Sequence, residues 1–187
     1  MIKDFVVKYL EGLKQVMETL PIENMDKIAS TIFDAYKKGC RIFIMGNGGS
    51  GATSSHFVCD LNKGVSVGLK KRFRAISLND NIPIMLAYAN DRSYQDIFAE
   101  QLENFLEPGD IVIGISATGN SRNILKAIEY ANKKGVVTIG LAGFDGGKLA
   151  GLAKVALTVK TKDMQKVEDL HLIITHIIMQ YFWQRLH

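Results

Sequence analysis

Five short runs rich in isoleucine and valine constrain this chain more than any other feature: Arg41 to Met45, Phe73 to Leu78, Asp110 to Ile115, Val136 to Leu141 and Val155 to Thr161. Several are apolar at nearly every position, the pattern of strands buried on both faces, and such strands belong to parallel sheets. Between them the apolar spacing predicts helices over Gly51 to Asn62, Ile82 to Ala89, Tyr94 to Leu106 and Ser121 to Lys134, with a short helical turn around Lys148 to Leu152. Strands that alternate with helices imply crossover connections, so the expected fold is a three-layer α/β/α sandwich around a five-stranded parallel sheet.

Helical patterns flank this core. Phe5, Val6, Tyr9, Leu10, Leu13 and Met17 predict an amphipathic helix over residues 3 to 19, ended near Pro21, and a second helix runs from about Met25 to Lys38 and stops at Gly39. The first is apolar enough to seek a partner. A long closing helix, about Met164 to Arg185, has a heavily apolar face interrupted by Glu168, Asp169, His171, Thr175 and His176, and polar groups in such a face need an explanation. Trp183, Tyr181 and Phe182 near its end read as packing residues, and His187 as solvated. With 187 residues the chain has the size of one domain.

Other classes are excluded by what is missing. No apolar stretch approaches the ~20 residues needed to cross a bilayer, and Met1 to Leu13 carries Asp4 and Glu11 rather than the pattern of a secretory signal, so the expected location is the cytoplasm. Cys40 and Cys59 are too few for a disulfide framework and lack structural-zinc spacing; both read as reduced, partly buried thiols. A net charge of +4 permits anionic ligands. The one dense basic cluster, Lys70, Lys71, Arg72 and Arg74, reads as a solvated approach to the second strand, and no nucleic-acid or membrane partner is expected.

Two loops carry the chemistry. After the first strand the chain reads Gly46-Asn47-Gly48-Gly49-Ser50-Gly51 and enters a helix, where glycines admit a ligand close to the backbone and free helix-start amides favour negative charge. This satisfies the dinucleotide fingerprint formally. No acidic residue lies between Asp60 and Asp80 to hold a ribose, so no nucleotide cofactor is expected and a dinucleotide oxidoreductase is the weakest reading. After the third strand comes Ser116-Ala117-Thr118-Gly119-Asn120-Ser121: three hydroxyls and a glycine before another helix, a cradle for a phosphate monoester without the lysine of a P-loop. The plainer alternative makes Ser121 an N-cap in a polar turn.

These loops, together with Ser55-His56-Phe57, Asn90-Asp91, Asp145-Gly146-Gly147-Lys148-Leu149-Ala150-Gly151 and the closing helix with His171 and His176, resemble the sugar isomerase (SIS) domain family, and within it the phosphoheptose isomerases. The resemblance spans nearly the whole chain, residues 1 to 187, as a single SIS domain. It implies a homotetramer with sites at subunit contacts, a phosphosugar substrate, and conversion of sedoheptulose 7-phosphate to D-glycero-D-manno-heptose 7-phosphate. By position, Ser116, Thr118 and Ser121 would hold the phosphate, Asn47, Gly48 and Ser50 would contact substrate, and Asp91 would be a polar active-site residue. His56, Asp60, Glu168 and His176 fall on the family's metal positions, with Asp60 and His176 its acid/base pair. The chain departs from the family pattern by having Asp60 where Glu is usual and Glu168 where Gln is usual.

Aldose–ketose isomerisation needs a base for the carbon proton, a group to manage two oxygens, and stabilisation of developing negative charge. His56 and Asp60, four apart, share a helix face. His176 follows Asp169 by seven residues, about 20° of rotation, and Glu168 by eight, about 80°; geometry prefers Asp169 as its partner and the resemblance prefers Glu168, which we follow. Two imidazoles and two carboxylates suit zinc or another divalent ion acting as a Lewis acid. Asp60 is one carbon shorter than Glu, so either the backbone approaches more closely, or Glu168 takes over as base, or the protein is a weak catalyst. The competing function is a non-catalytic SIS-fold protein that binds phosphosugars or associates with a replication initiator; retention of His56 and His176 favours an enzyme.

Overall fold

The computed structural model describes residues 1–187. In chain order it comprises α1 (Ile2–Met17), α2 (Ile22–Lys38), β1 (Ile42–Gly46), α3 (Gly49–Cys59), β2 (Ala75–Ser77), α4 (Ile82–Asp91), α5 (Ala99–Phe105), β3 (Ile111–Ser116), α6 (Arg122–Lys133), β4 (Val137–Gly143), α7 (Gly147–Leu152), β5 (Val155–Val159) and α8 (Met164–Leu186). The five strands form one parallel sheet in the order β2-β1-β3-β4-β5. The chain leaves β1 toward β2 on one side and returns to β3 on the other, so the loops after β1 and β3 part at the carboxyl edge of the sheet and open a crevice there.

Strand alternation divides the core into two layers. Ile42 and Ile44 of β1, with Ile111, Ile113 and Ile115 of β3, face α2, α3 and α8; Phe43, Met45 and Val112 face Ile97, Phe98, Leu102, Ile124 and Ile128 on the other side. Burying a side chain of this size stabilises by roughly 1.5–3 kcal/mol, so the central strands are the firmest part of the frame that carries the two loops. Arg41 and Asp110, at the opposite edge, join the starts of β1 and β3: the Asp110 carboxylate accepts from the Arg41 backbone N–H at 2.7 Å and from its Nε at 3.0 Å.

The elements expected from sequence are present, with shifted bounds. The helix expected over Gly51 to Asn62 is α3, and it does not stop cleanly: residues Asp60–Val65 continue as a wider π-helical turn. Ser66 Oγ donates to the Leu61 carbonyl at 2.8 Å and accepts the Phe73 N–H at 2.9 Å, which holds this turn with Leu61 and Val65 both fully buried. The helix expected from Tyr94 begins only at Ala99. Before it, Ser93 Oγ donates to Asp96 Oδ2 at 2.7 Å and Lys126 pairs with the same carboxyl group, so side chains hold residues 92–98 in turns instead. Asp96 is kept below the usual carboxylate range by Lys126 and Ser93.

Several local expectations need correction. Cys59 is exposed rather than partly buried, because it lies on the outer side of α3; Cys40 is half-buried. Phe182 is fully buried, but Tyr181 and Trp183 are exposed. His187 is exposed, as expected, with its ring stacked on Trp183 at 3.9 Å between centroids and its Nε2 3.0 Å from the Val65 carbonyl. The basic cluster is exposed, as expected, and two of its members reach the end of α2: Lys71 donates to the Lys37 carbonyl and Arg74 to that of Gly39 at 3.0 Å, positive charge where a helix end is negative. No residue of α1 is buried, and Ile2, Phe5, Val6 and Leu10 stand exposed along it. No helix is long and apolar enough to cross a membrane.

Candidate active site

At the carboxyl end of β1, Asn79 holds Gly46 like an additional strand: Gly46 N–H donates to Asn79 Oδ1 at 3.1 Å, and Asn79 Nδ2 donates to the Gly46 carbonyl at 2.7 Å. The chain then turns through Gly48 at φ 53° into α3. At the end of β3, Ser116 Oγ donates to Ser121 Oγ at 3.0 Å and Thr118 Oγ1 accepts the Asn120 N–H at 3.2 Å. Ser121 precedes α6 without its hydroxyl capping the helix, so it is directed to the loop rather than to the α6 amides. Gly119, at φ 66°, allows the loop after β4 to come close: a Cβ there would lie 2.1 Å from the Gly146 carbonyl oxygen.

The two loops enclose a cavity of about 260 Å³ lined by Asn47, Gly48, Ser50, Ser116, Thr118 and Ser121, with Met164 and Glu168 of α8 closing one side. A larger groove, about 840 Å³, lies between α1 and the start of α8, lined by Lys8, Tyr9, Gln15 and Lys166 among others. The smaller cavity has convergent hydroxyls and the amino ends of α3 and α6, the make-up of an anion site, whereas the groove's one hydroxyl, that of Tyr9, is committed to Asp169.

A second group lies further along α3 and α8. His56 Nε2 and His176 Nε2 are 2.9 Å apart, and Asp60 Oδ2 lies 3.5 Å from the first and 3.8 Å from the second. That Asp60 oxygen is buried and accepts no hydrogen bond, and one donor atom from each of the three residues falls within 4.8 Å of the others. The shorter carboxylate therefore does reach the histidines, from its position at the start of the π-helical turn.

Of the expected set of four, Glu168 is not among the residues whose donor atoms converge here. Its carboxylate rests on Gly49 instead: a Cβ there would lie 2.3 Å from Glu168 Oε2. Asp169 does not partner His176 either; it accepts from Tyr9 Oη at 2.5 Å, which ties α1 to α8 and pushes the tyrosine up to about 12. Asp91 is apart from both groups, exposed at the end of α4 with Oδ1 accepting from Asn90 Nδ2 at 2.8 Å. His171, one turn after Glu168, is buried with Nε2 on the Ala142 carbonyl at 3.1 Å; burial pushes its pKa down to about 4.

A family model described as the SIS domain matches residues 4–143. The phosphoheptose isomerase of Geotalea daltonii is 38% identical over 180 residues, spanning 92% of this chain and 91% of its own. That of Helicobacter pylori is 36% identical over 182 residues, 95% and 94% of the two chains. This chain belongs to the phosphoheptose isomerase family of SIS domains. Its fold is also that of the phosphoheptose isomerase structure from Neisseria gonorrhoeae, with a TM-score of 0.90 at 24% identity over 97% of this chain and 98% of that one.

Around this phosphoheptose isomerase fold, the residues that sequence reasoning missed are polar groups behind the cavity. Asn123 is buried and exchanges two hydrogen bonds with Asn47: Asn47 Nδ2 donates to Asn123 Oδ1 at 2.9 Å and Asn123 Nδ2 to Asn47 Oδ1 at 2.8 Å. Tyr94 Oη also donates to Asn47 Oδ1, at 3.0 Å. Asn123 lies two residues beyond Ser121, close enough to the second loop to have been singled out; Tyr94, 47 residues from Asn47, carried no signal.

Proposed function

We propose that the protein is an aldose–ketose isomerase that converts sedoheptulose 7-phosphate to D-glycero-D-manno-heptose 7-phosphate. The carrying observation is the spacing of two groups on α3 and α8, which run side by side away from the cavity. Ser50 lines the cavity and His56 lies six residues on, about 9 Å at the rise of a helix. An extended seven-carbon chain, at roughly 1.25 Å of advance per carbon–carbon bond, puts its first carbons roughly 10 Å from a phosphate on the seventh. A phosphate held at one group thus brings the reacting carbons to the other.

In this reading Ser116, Thr118 and Ser121 donate to the phosphate oxygens, helped by the amino end of the 12-residue helix α6 and by Asn47, Gly48 and Ser50 across the cavity. Asp60 is the base that takes the proton from the carbon beside the carbonyl, and His176 moves the proton between the two oxygens. Glu168, over Gly49, contacts the substrate nearer its phosphate end. Two imidazole nitrogens and a buried carboxylate oxygen with no hydrogen-bond donor fit a divalent cation of the zinc type, held by His56, Asp60 and His176. When bound, such an ion polarises the substrate oxygens. The exposed apolar face of α1 supports assembly into the expected tetramer, and the absence of a spanning helix is compatible with a cytoplasmic enzyme.

The test is turnover of five-, six- and seven-carbon ketose phosphates, run in D2O to follow deuterium entry beside the carbonyl. The expected result is a clear preference for the seven-carbon substrate, with exchange lost in Asp60→Asn and kept in Glu168→Gln. Preference for a shorter sugar would overturn the substrate, and exchange kept in Asp60→Asn but lost in Glu168→Gln would move the base role to Glu168.

A further inference from the structure

We infer that Asn123 and Tyr94 are positioning residues that fix the Asn47 side chain as a pure hydrogen-bond donor toward the cavity, so that this point of the site accepts a substrate oxygen bearing no hydrogen. The argument is a count of hydrogens. The backbone N–H of Ile124 donates to Asn123 Oδ1 at 2.9 Å, and a backbone N–H cannot reverse its role, so this atom is the amide oxygen. Its second lone pair takes Asn47 Nδ2 at 2.9 Å, which forces the nitrogen of Asn123 toward Asn47 Oδ1 at 2.8 Å.

Tyr94 Oη closes the count by donating to the same Asn47 Oδ1 at 3.0 Å. Both lone pairs of that oxygen are then taken, leaving Asn47 with one uncommitted group, the second N–H of Nδ2. Asn47 lines the cavity with Ser116 and Ser121. Serine hydroxyls rotate and serve as donor or acceptor, whereas Asn47 is set by a chain of bonds that begins at the main chain of α6. A flipped Asn47 would put its oxygen against Asn123 Oδ1 and its nitrogen against the nitrogen of Asn123, two buried mismatches in a network where Asn123 is 2% exposed.

A fixed donor does little for a hydroxyl, which can offer its own hydrogen elsewhere, and most for an oxygen that bears none, here an oxygen of the phosphate held in the same cavity. This part rests on the isomerase reading; the fixed orientation of Asn47 does not. The ligand class at that point is therefore an anionic group with unprotonated oxygens, a phosphate monoester, rather than a sugar hydroxyl.

The experiment combines kinetics with a spectrum. Tyr94→Phe removes one hydroxyl from an exposed side chain and should lower kcat/KM for sedoheptulose 7-phosphate about fivefold, with most of the loss in KM; Asn123→Asp should cost about a hundredfold. Each is repeated in an Asn47→Ala background, where both effects should vanish because they act through Asn47. Side-chain amide signals of 15N-labelled protein without ligand are recorded in parallel, Asn47 being assigned from its loss in Asn47→Ala, and its pair should shift in Tyr94→Phe. Effects that persist in full without Asn47, or an Asn47 amide pair unmoved by Tyr94→Phe, would overturn the inference. A wild-type protein that leaves sedoheptulose 7-phosphate unchanged would overturn the isomerase reading instead, and the amide spectrum then decides the orientation of Asn47 by itself.

Discussion

The Nε2 atoms of His56 and His176, 120 residues apart in sequence, lie 2.9 Å from each other beside the carboxylate of Asp60. Two basic nitrogens at that distance are compatible only with a shared proton or a shared cation. Elemental analysis of protein purified without chelator is expected to find about one divalent ion per chain, and His176→Ala to hold only traces. Deuterium exchange into substrate should fall by at least about a hundredfold in that variant. A metal-free protein that gains nothing from added zinc would remove the cation and leave the shared proton.

Ser121→Ala deletes a hydroxyl that the α6 helix does not use as a cap, so stability should change by less than about 0.5 kcal/mol. Substrate KM is expected to rise at least tenfold, with kcat falling as well because phosphate binding positions the distant carbons. An unchanged kcat/KM would detach Ser121 from the phosphate.

Two glycine substitutions separate fold from site. Gly119→Ala strains a backbone at φ 66° and drives a methyl group into the Gly146 carbonyl, and urea unfolding should record a loss of about 3 kcal/mol. Gly49→Ala meets only the end of the Glu168 side chain, which can swing aside; stability should hold within about 1 kcal/mol while KM changes. Equal stability losses in the two variants would contradict this difference.

His171 gives the fold a built-in sensitivity to acid. Its folded pKa, about 4, lies below the 6.5 of an unstrained imidazole, so the unfolded chain takes up a proton that the folded chain refuses. The stability it leaves intact above pH 6.5 is lost as pH falls toward 4, by about 2 kcal/mol between pH 7.5 and pH 5. His171→Gln, which keeps a donor for the Ala142 carbonyl, should show a flatter dependence in urea unfolding over that range. Parallel curves for the two proteins would assign the acid sensitivity elsewhere.

What the sequence disclosed tracks the range of the interactions involved. The strands were legible because burial on both faces writes itself into consecutive residues such as Ile42 to Met45, and the loops because glycines and hydroxyls cluster within six positions. The π-helical turn after Cys59 was not legible, since it depends on Ser66 reaching back to Leu61 and across to Phe73. The pairing of Asn47 with Asn123 spans 76 residues and leaves no local periodicity. The contact of Glu168 with Gly49 is a matter of helix packing across more than a hundred residues and left no local signal.

The strand order also sets a timetable for the working molecule. β1 waits for β3, whose starts are joined by Arg41 and Asp110 across 69 residues, so the crevice between the loops cannot form until more than half of the chain has left the ribosome. His56 waits longer, for α8, which follows every strand. Closing such separations is what slows folding in parallel α/β architectures. A nascent chain released before α8 therefore lacks His176 together with Val167, Leu170, Ile174 and Phe182, and both the histidine pair and the core behind it wait for the last helix.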